Sequence, residues 1–117
     1  MKDFKKLLIW QKSIEIVKSI YILAKDLPDS EKYGLISQLT RASVSVPANI
    51  AEGSSRTSEK DYKRFLEIAL GSLYELETLL FLILELDFQP IEKVNNIIAS
   101  VKEEQKMIIG FIKKLNY

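Results

Sequence analysis

The sequence predicts an all-α protein, a single domain over residues 1–117 that folds as an up-down-up-down antiparallel four-helix bundle. Three observations favour this fold. Apolar residues recur at three- and four-residue steps along four long segments, as they do on the buried face of a helix. The connections between these segments are short, and short connections make consecutive helices antiparallel neighbours. A length of 117 residues with 47% apolar residues suits one domain with its own core.

The first two predicted helices are bounded by residues that start or stop helices. Helix 1 runs from about residue 5 to residue 26, and Pro28 ends it because the residue before proline avoids helical angles. Helix 2 begins near Asp29 or Ser30, because either side chain can accept hydrogen bonds from the unpaired N–H groups of a first turn. Gly53 is its expected end, since glycine takes left-handed angles without a steric penalty.

Helices 3 and 4 have boundaries of the same kind. Helix 3 begins at Ser58, whose hydroxyl can cap the third N–H of the helix, and it extends to about residue 86. Helix 4 runs from about Pro90, a residue favoured in first turns, to Lys114. Its apolar stripe has Gln105 as its one polar member and otherwise consists of Ile91, Val94, Ile98, Val101, Ile108, Ile112 and Leu115.

Helices 1 and 3 each carry two apolar stripes, whereas a helix that faces a single core shows one. On helix 1 the first stripe comprises Leu7, Trp10, Ile14, Val17, Tyr21 and Ala24, and the second comprises Ile9, Ile16, Ile20, Leu23 and Leu27. The surplus predicts a second buried surface against another subunit, and therefore a homo-oligomer. The alternative is that the extra residues fill a wide core, namely Ile16, Ile20, Leu23, Leu79 and Leu82.

Composition limits the compartment and the class of protein. The chain has no cysteine, so neither a disulfide nor a thiolate metal site is expected, which fits a reducing cytosol and a cytoplasmic location. The N-terminal residues lack the long apolar core and the cleavage site of a signal peptide. The longest apolar run, residues 79–84, is far too short to cross a bilayer, so no membrane association is expected.

Enzymatic chemistry has little support in the sequence. The absence of histidine excludes Ser-His-Asp triads, His-ligated zinc and the Glu-x-x-His di-iron motif of bundle enzymes. There is no glycine-rich phosphate loop. A carboxylate-only metal site or a Glu/Lys acid–base pair stays open, although no spacing points to one. We therefore predict a protein that is not an enzyme and has no cofactor, no metal and no small-molecule substrate.

Six polar residues lie on helix 2, just past its end, or on helix 3, and they need a structural or functional reason: Arg41, Asn49, Glu52, Arg56, Glu67 and Glu75. Glu75 interrupts an apolar stripe and is expected to be at least partly buried, with Arg41 as the partner of Glu75 or Glu67 in an inter-helix clamp. The alternative is an acid–base pair. Asn49, Glu52 and Arg56 are expected to fix the turn between the helices, and the alternative is a shared polar site at the end of the bundle.

Lysines provide the remaining lead to function. The net charge is only +1, but residues 1–27 carry +3 and residues 90–117 carry +2, whereas residues 58–89 carry −4. Aligned lysines of helices 1 and 4 may be read as one merged basic face for phosphates, or as ordinary solvated surface. They are Lys5, Lys12, Lys18, Lys25, Lys102, Lys106 and Lys113. Few exposed aromatic residues accompany them, so binding would be backbone-directed.

The stretch from residue 41 to residue 77, above all Val46-Pro-Ala-Asn-Ile-Ala-Glu-Gly53, resembles the signature of bacterial four-helix bundle proteins encoded in intervening sequences of 23S rRNA genes. The accessory variability proteins of diversity-generating retroelements belong to the same superfamily. The resemblance implies a homopentamer and permits RNA, DNA or a reverse transcriptase as partner. We therefore expect an accessory module that binds nucleic acid or a nucleoprotein; the alternative is a protein-interaction scaffold that binds no nucleic acid.

Overall fold

Four α-helices make up most of residues 3–115, the part of the chain that the computed structural model describes. They are α1 (Leu8–Lys25), α2 (Leu35–Ser54), α3 (Glu59–Glu85) and α4 (Ile91–Lys113), with 3-10 turns at Phe4–Lys6 and Asp29–Glu31. Each helix packs against the preceding and following helix, and α4 also packs against α1. The predicted all-α, up-down-up-down bundle is therefore confirmed, with extents of 44 × 23 × 20 Å.

The sequence predicted the start of α3 correctly and the start of α2 incorrectly. Ser58 caps α3 as expected, since its hydroxyl oxygen accepts the N–H of Asp61 at 3.1 Å. The prediction that Asp29 or Ser30 begins α2 is wrong. Those residues form a separate 3-10 turn, and α2 begins only after Gly34. A carboxylate oxygen of Glu31 accepts the N–H of Leu35 at 3.3 Å, so a residue four positions back provides the polar partner.

Gly53 has a different role from the predicted one. It lies inside the last turn of α2 and does not have a left-handed φ; no glycine among the described residues has one. Among the described residues other than glycine, only Asp87 has a positive φ, of 56°. A Cβ on Gly53 would lie 2.8 Å from the Cβ of Phe65 and 3.1 Å from Cδ1 of Tyr62. The residue is therefore glycine because α2 and α3 approach closely here, and the helix continues to Ser54.

The core contains the second apolar stripe of α1 rather than the first. Ile9, Ile16, Ile20 and Leu23 are buried, whereas Tyr21 of the first stripe is 46% exposed. The wide-core alternative is right for Ile16, Ile20, Leu23 and Leu79, but Leu82 remains 41% exposed. On α4 the buried positions are Val94, Ile97, Val101, Glu104 and Ile108, with Gln105 beside them. The predicted stripe is therefore only partly right, because it omitted Ile97 and Glu104 and included Ile91, which is 66% exposed.

Candidate nucleic-acid interface

A polar network joins α2 to α3 within the signature segment. The side-chain amide of Asn49 donates to the carbonyl and the hydroxyl oxygens of Ser45, at 2.8 and 2.9 Å. The hydroxyl of Ser72 donates to the same Ser45 hydroxyl at 2.9 Å. Asn49 was expected to fix the turn between the helices, but it does not reach the turn. It takes part instead in a polar link between α2 and α3.

The predicted clamp between Arg41 and a carboxylate is not formed. Arg41 and Glu75 line one cleft of about 360 Å³ between α2 and α3, yet both are exposed, and no ion pair joins them within residues 3–115. Glu67 is also exposed. The expected burial of Glu75 is wrong because Leu73 and Leu76 occupy the core positions of α3, which leaves Glu75 at the rim of the polar cleft.

The turn between α2 and α3 is held by contacts of Arg56. Its guanidinium lies 2.8 Å from a carboxylate oxygen of Glu52 and 4.6 Å from the ring centre of Phe65. The guanidinium of Arg64 also lies over Phe65, at 5.0 Å from the ring centre. These are cation–π distances. The turn-fixing interpretation of Glu52 and Arg56 agrees with this geometry, and the arrangement also holds two cations at this end of the bundle.

The seven lysines that were expected to form one face are divided among several environments. Lys12 forms an ion pair with Glu103 of α4, and the hydrogen bond to Glu103 raises the pKa of Lys12. Lys18 is paired with Glu15 at 3.1 Å. Lys102 lies in a cleft between α3 and α4.

The other four predicted lysines are exposed and, within the described residues, have no carboxylate at ion-pair distance. Lys25 lies at the C-terminal end of α1, whereas Lys5 lies in the turn that precedes α1. Lys106 and Lys113 lie in the C-terminal part of α4. Since α1 and α4 are antiparallel neighbours, Lys5 lies at the same end of the bundle as Lys113, and Lys25 lies at the other end.

The alternating helix directions bring two basic regions, at the start of α1 and the end of α4, to the end of the molecule that also holds the α2–α3 turn, where bases and acids balance. The start of α1, the α2–α3 turn and the end of α4 meet there; Leu8, Phe111 and Lys114 line one cleft, and the ring centres of Tyr62 and Phe111 are 5.7 Å apart. We call residues 3–14, 45–71 and 104–115 the basic half. It holds ten lysines and arginines against six acids, a formal charge of +4.

The remaining described residues, 15–44 and 72–103, form what we call the acidic half. It holds six bases against ten acids, a formal charge of −4. Charge summed over consecutive segments of the sequence does not show this separation, because each helix crosses both halves. The signal becomes visible only when each helix is divided at its middle and the four matching ends are added.

Glu104 is the residue that sequence reasoning missed altogether. Its side chain is 0% exposed in the core, and neither carboxyl oxygen has a hydrogen-bond partner within residues 3–115. Burial raises the pKa of Glu104 to about 8, partly opposed by the charge of Lys12. The available signal was spacing, because Glu104 stands three residues after Val101 and four before Ile108, which are both buried.

Two properties of the described residues bear on the class of site. No helix of residues 3–115 has both the length and the apolar character that a membrane span needs. Nor does that part of the chain bring together three carboxylates as potential metal ligands.

The chain is similar to one known family and to a solved structure. The sequence profile of the family described as 23S rRNA-intervening sequence protein matches residues 5–110. Among solved structures, the chain is similar to a protein of unknown function from the S23 ribosomal protein family of Bacteroides thetaiotaomicron VPI-5482. The two have 30% sequence identity and a TM-score of 0.85, over 92% of this chain and 100% of that chain. No curated protein matches the chain.

Proposed function

The chain belongs to the 23S rRNA-intervening sequence protein family, and on that premise we propose that it is a non-enzymatic accessory module that binds nucleic acid through its basic half. The observation that carries the proposal is the separation of charge along the bundle, +4 against −4, within a chain of net charge +1. A surface of this kind attracts phosphates even when the whole protein is almost neutral.

The proposed contact is with the phosphate backbone. Exposed lysines of the basic half would replace counterions around the phosphates, and this release of counterions makes binding strongly salt-dependent. They are Lys5, Lys6, Lys60, Lys106, Lys113 and Lys114. The large exposed aromatic residues, Tyr21, Tyr33, Tyr74 and Phe81, all belong to the acidic half. Base stacking would therefore contribute little, and recognition should depend only weakly on sequence.

We further propose that the protein acts as a homo-oligomer, with a pentamer expected from the resemblance to proteins that form five-membered rings. Support comes from large apolar side chains that a single chain leaves in water, such as Tyr74 (49% exposed) and Phe81 (55%) in the cleft between α3 and α4. Ring assembly would repeat the basic half around an axis and multiply the number of phosphates in contact.

Filter binding to a structured RNA and to duplex DNA tests the proposal, at low and at physiological salt. The triple variant Lys5→Glu, Lys106→Glu and Lys113→Glu reverses charge in the basic half and should lose binding. The matched control, Lys18→Glu, Lys25→Glu and Lys102→Glu, makes the same charge change in the acidic half and should keep most of it. For duplex DNA, each lost phosphate contact should reduce the slope of log K against log salt by about 0.9.

The control is informative because all six lysines are exposed, so neither triple variant should alter the melting temperature greatly. Absence of binding at low salt would refute the proposal. Equal loss in both triple variants would refute the assignment to the basic half.

A protein-interaction scaffold is the second candidate function, and the cleft between α3 and α4 favours it. This cleft of about 610 Å³ is lined by Tyr74, Phe81, Leu84 and Ile98, with Lys102 at its edge. Exposed aromatic residues around a groove are typical of protein interfaces. The partner would be a second copy of this chain or, as the resemblance permits, a reverse transcriptase. In that case Phe81→Ser should abolish the interaction, whereas the basic-half triple variant should not.

A further inference from the structure

The interface between α1 and α4 is the least extensively packed of the four helix–helix interfaces. It joins the first and the last helix, which no loop connects. A cleft of about 170 Å³ opens along it, lined by Ser19 of α1 and Ser100 of α4 among others. Its polar cross-links are few and exposed. Asp26 accepts from Lys93 at 2.8 Å at one end of the interface, and Lys12 pairs with Glu103 nearer the other.

Glu104 lies directly behind the Lys12–Glu103 pair. Because α1 and α4 are antiparallel, the residues that follow Lys12 and Glu103, namely Ser13 and Glu104, lie on opposite sides of the level of this pair, each within one residue of it along its helix, and both are 0% exposed. The hydroxyl of Ser13 already donates to the carbonyl of Trp10, at 2.6 Å. A carboxyl group without hydrogen-bond partners is thus buried close to Lys12 of α1, at the least extensively packed of the four interfaces.

Two charged groups act on Glu104, one on α1 and one on α4, whereas titratable groups of α3 contact other residues of α4. On α1, Lys12 lowers the pKa of Glu104; on α4, Glu103 raises it, and burial raises it more than either neighbour changes it. On α3, Glu77 accepts a hydrogen bond from Gln105 at 2.8 Å, and Tyr62 contacts Phe111 about two turns away along α4. None of these groups supplies Glu104 with a hydrogen bond. Only the proton on the carboxyl group removes its buried charge.

We propose that Glu104 makes the α1–α4 interface a pH-sensitive device, in which the protonated side chain permits the two helices to pack and loss of the proton favours their separation. Separation exposes the carboxyl group to water. The proposal is independent of nucleic-acid binding, because it concerns one buried side chain and two helices.

The direction of the pH dependence follows from the two forms of Glu104. In the packed form the pKa is about 8, and in the separated form it returns towards the ordinary value of 4.5. Between these values each separation releases one proton. The equilibrium constant for separation should therefore rise about tenfold per pH unit between roughly pH 5 and pH 8, and should be independent of this residue above and below that window.

Amide hydrogen exchange of the full chain, measured by mass spectrometry from pH 5 to pH 8 and corrected for intrinsic exchange, tests the proposal. Protection in residues 9–24 and 94–108 should fall with pH in the natural sequence. It should stay level in Glu104→Gln, which cannot ionise. Residues 42–50 and 62–80, in the interface between α2 and α3, serve as an internal control that should be better protected at every pH, because they exchange only through global unfolding.

A second variant, Glu104→Met, keeps the test decisive if Glu104→Gln folds poorly. Glu104→Met replaces the acid by an apolar side chain of similar length and should give the same level profile as Glu104→Gln. The proposal is overturned if the pH profile of either variant parallels that of the natural sequence. It is equally overturned if α1 and α4 have the same protection as α2 and α3 at every pH, since exchange would then occur through global unfolding and not through separation of one interface.

Discussion

At the scale of single residues, the close approach of α2 to α3 depends on an absent side chain. Gly53 lets the last turn of α2 rest against Tyr62 and Phe65 of α3. The same approach brings Arg56 over the Phe65 ring and beside Glu52. A change at Gly53 should therefore disturb both the helix contact and the placement of the turn.

We predict that Gly53→Ala destabilises the protein by about 1–3 kcal/mol, because the added methyl group overpacks the contact with Phe65. Gly71→Ala is the matched control. A Cβ there would meet nothing within 4 Å, so removing a flexible glycine from a helix interior should stabilise by about 0.5–1 kcal/mol. Urea unfolding of the two variants measures both effects. Equal changes in both would contradict the packing role of Gly53.

At the scale of helices, periodicity predicted the number, order and approximate limits of the four elements. It did not show which stripe of α1 faces the core. Ser13 interrupts the second stripe, yet this stripe supplies most of the buried positions of α1. Ser13 can be buried because its hydroxyl bonds within its own helix. A polar residue that satisfies itself locally does not mark an exposed position, and periodicity alone cannot detect this.

The candidate site was less predictable than the helices for a related reason. Arg41 and Glu75 were correctly expected to lie near each other, since both line one cleft, but their burial depends on the Leu73 and Leu76 side chains that take the core positions instead. The error at Glu104 is the opposite of the error at Glu75: Glu104 is buried, although an acidic residue in a charged stretch of α4 is expected to be exposed to solvent. Both errors concern the direction in which a side chain points from a correctly predicted helix.

The buried acid of α4 leads to a prediction about stability. Glu104→Met should raise the free energy of unfolding by about 1–3 kcal/mol at pH 5, because it removes a buried polar group without partners. The folded state holds the Glu104 proton up to about pH 8, whereas the unfolded chain loses it near 4.5. The natural sequence should therefore lose stability between these pH values, and the advantage of the variant should widen over that window and level off above it.

Urea unfolding at pH 5, 7 and 9 gives this comparison. Glu104→Gln separates the effect of charge from that of shape, since it keeps the shape of the side chain and removes the titration. A constant difference between Glu104→Met and the natural sequence at all three pH values would show that Glu104 does not titrate between them.

At the scale of the whole molecule, the exposed apolar side chains lie mainly in the acidic half and the unpaired lysines mainly in the basic half. Self-association through the apolar residues would leave the basic half accessible. One face of each chain can thus serve assembly while the opposite end serves a phosphate partner.

We predict that multi-angle light scattering at micromolar concentration gives about five times the 13.5 kDa mass of one chain. Tyr74→Ser combined with Phe81→Ser should reduce this mass, since both side chains are about half exposed in the single chain. The exposed Tyr33, at 89%, provides a control substitution outside the α3–α4 cleft. A monomer in the natural sequence would refute assembly, and a dimer would refute only the number five.

The separation of +4 and −4 along a 44 Å body also makes each bundle a large electric dipole. Two such dipoles attract each other head to tail. At about 10 mM salt the screening length of about 30 Å is comparable with the length of the body, whereas at physiological salt it shrinks to about 8 Å. In dilute buffer the acidic half of one molecule should therefore compete with phosphates for the basic half of another. Apparent affinity for nucleic acid should then rise less steeply than expected as salt is removed, and should fall as protein concentration increases.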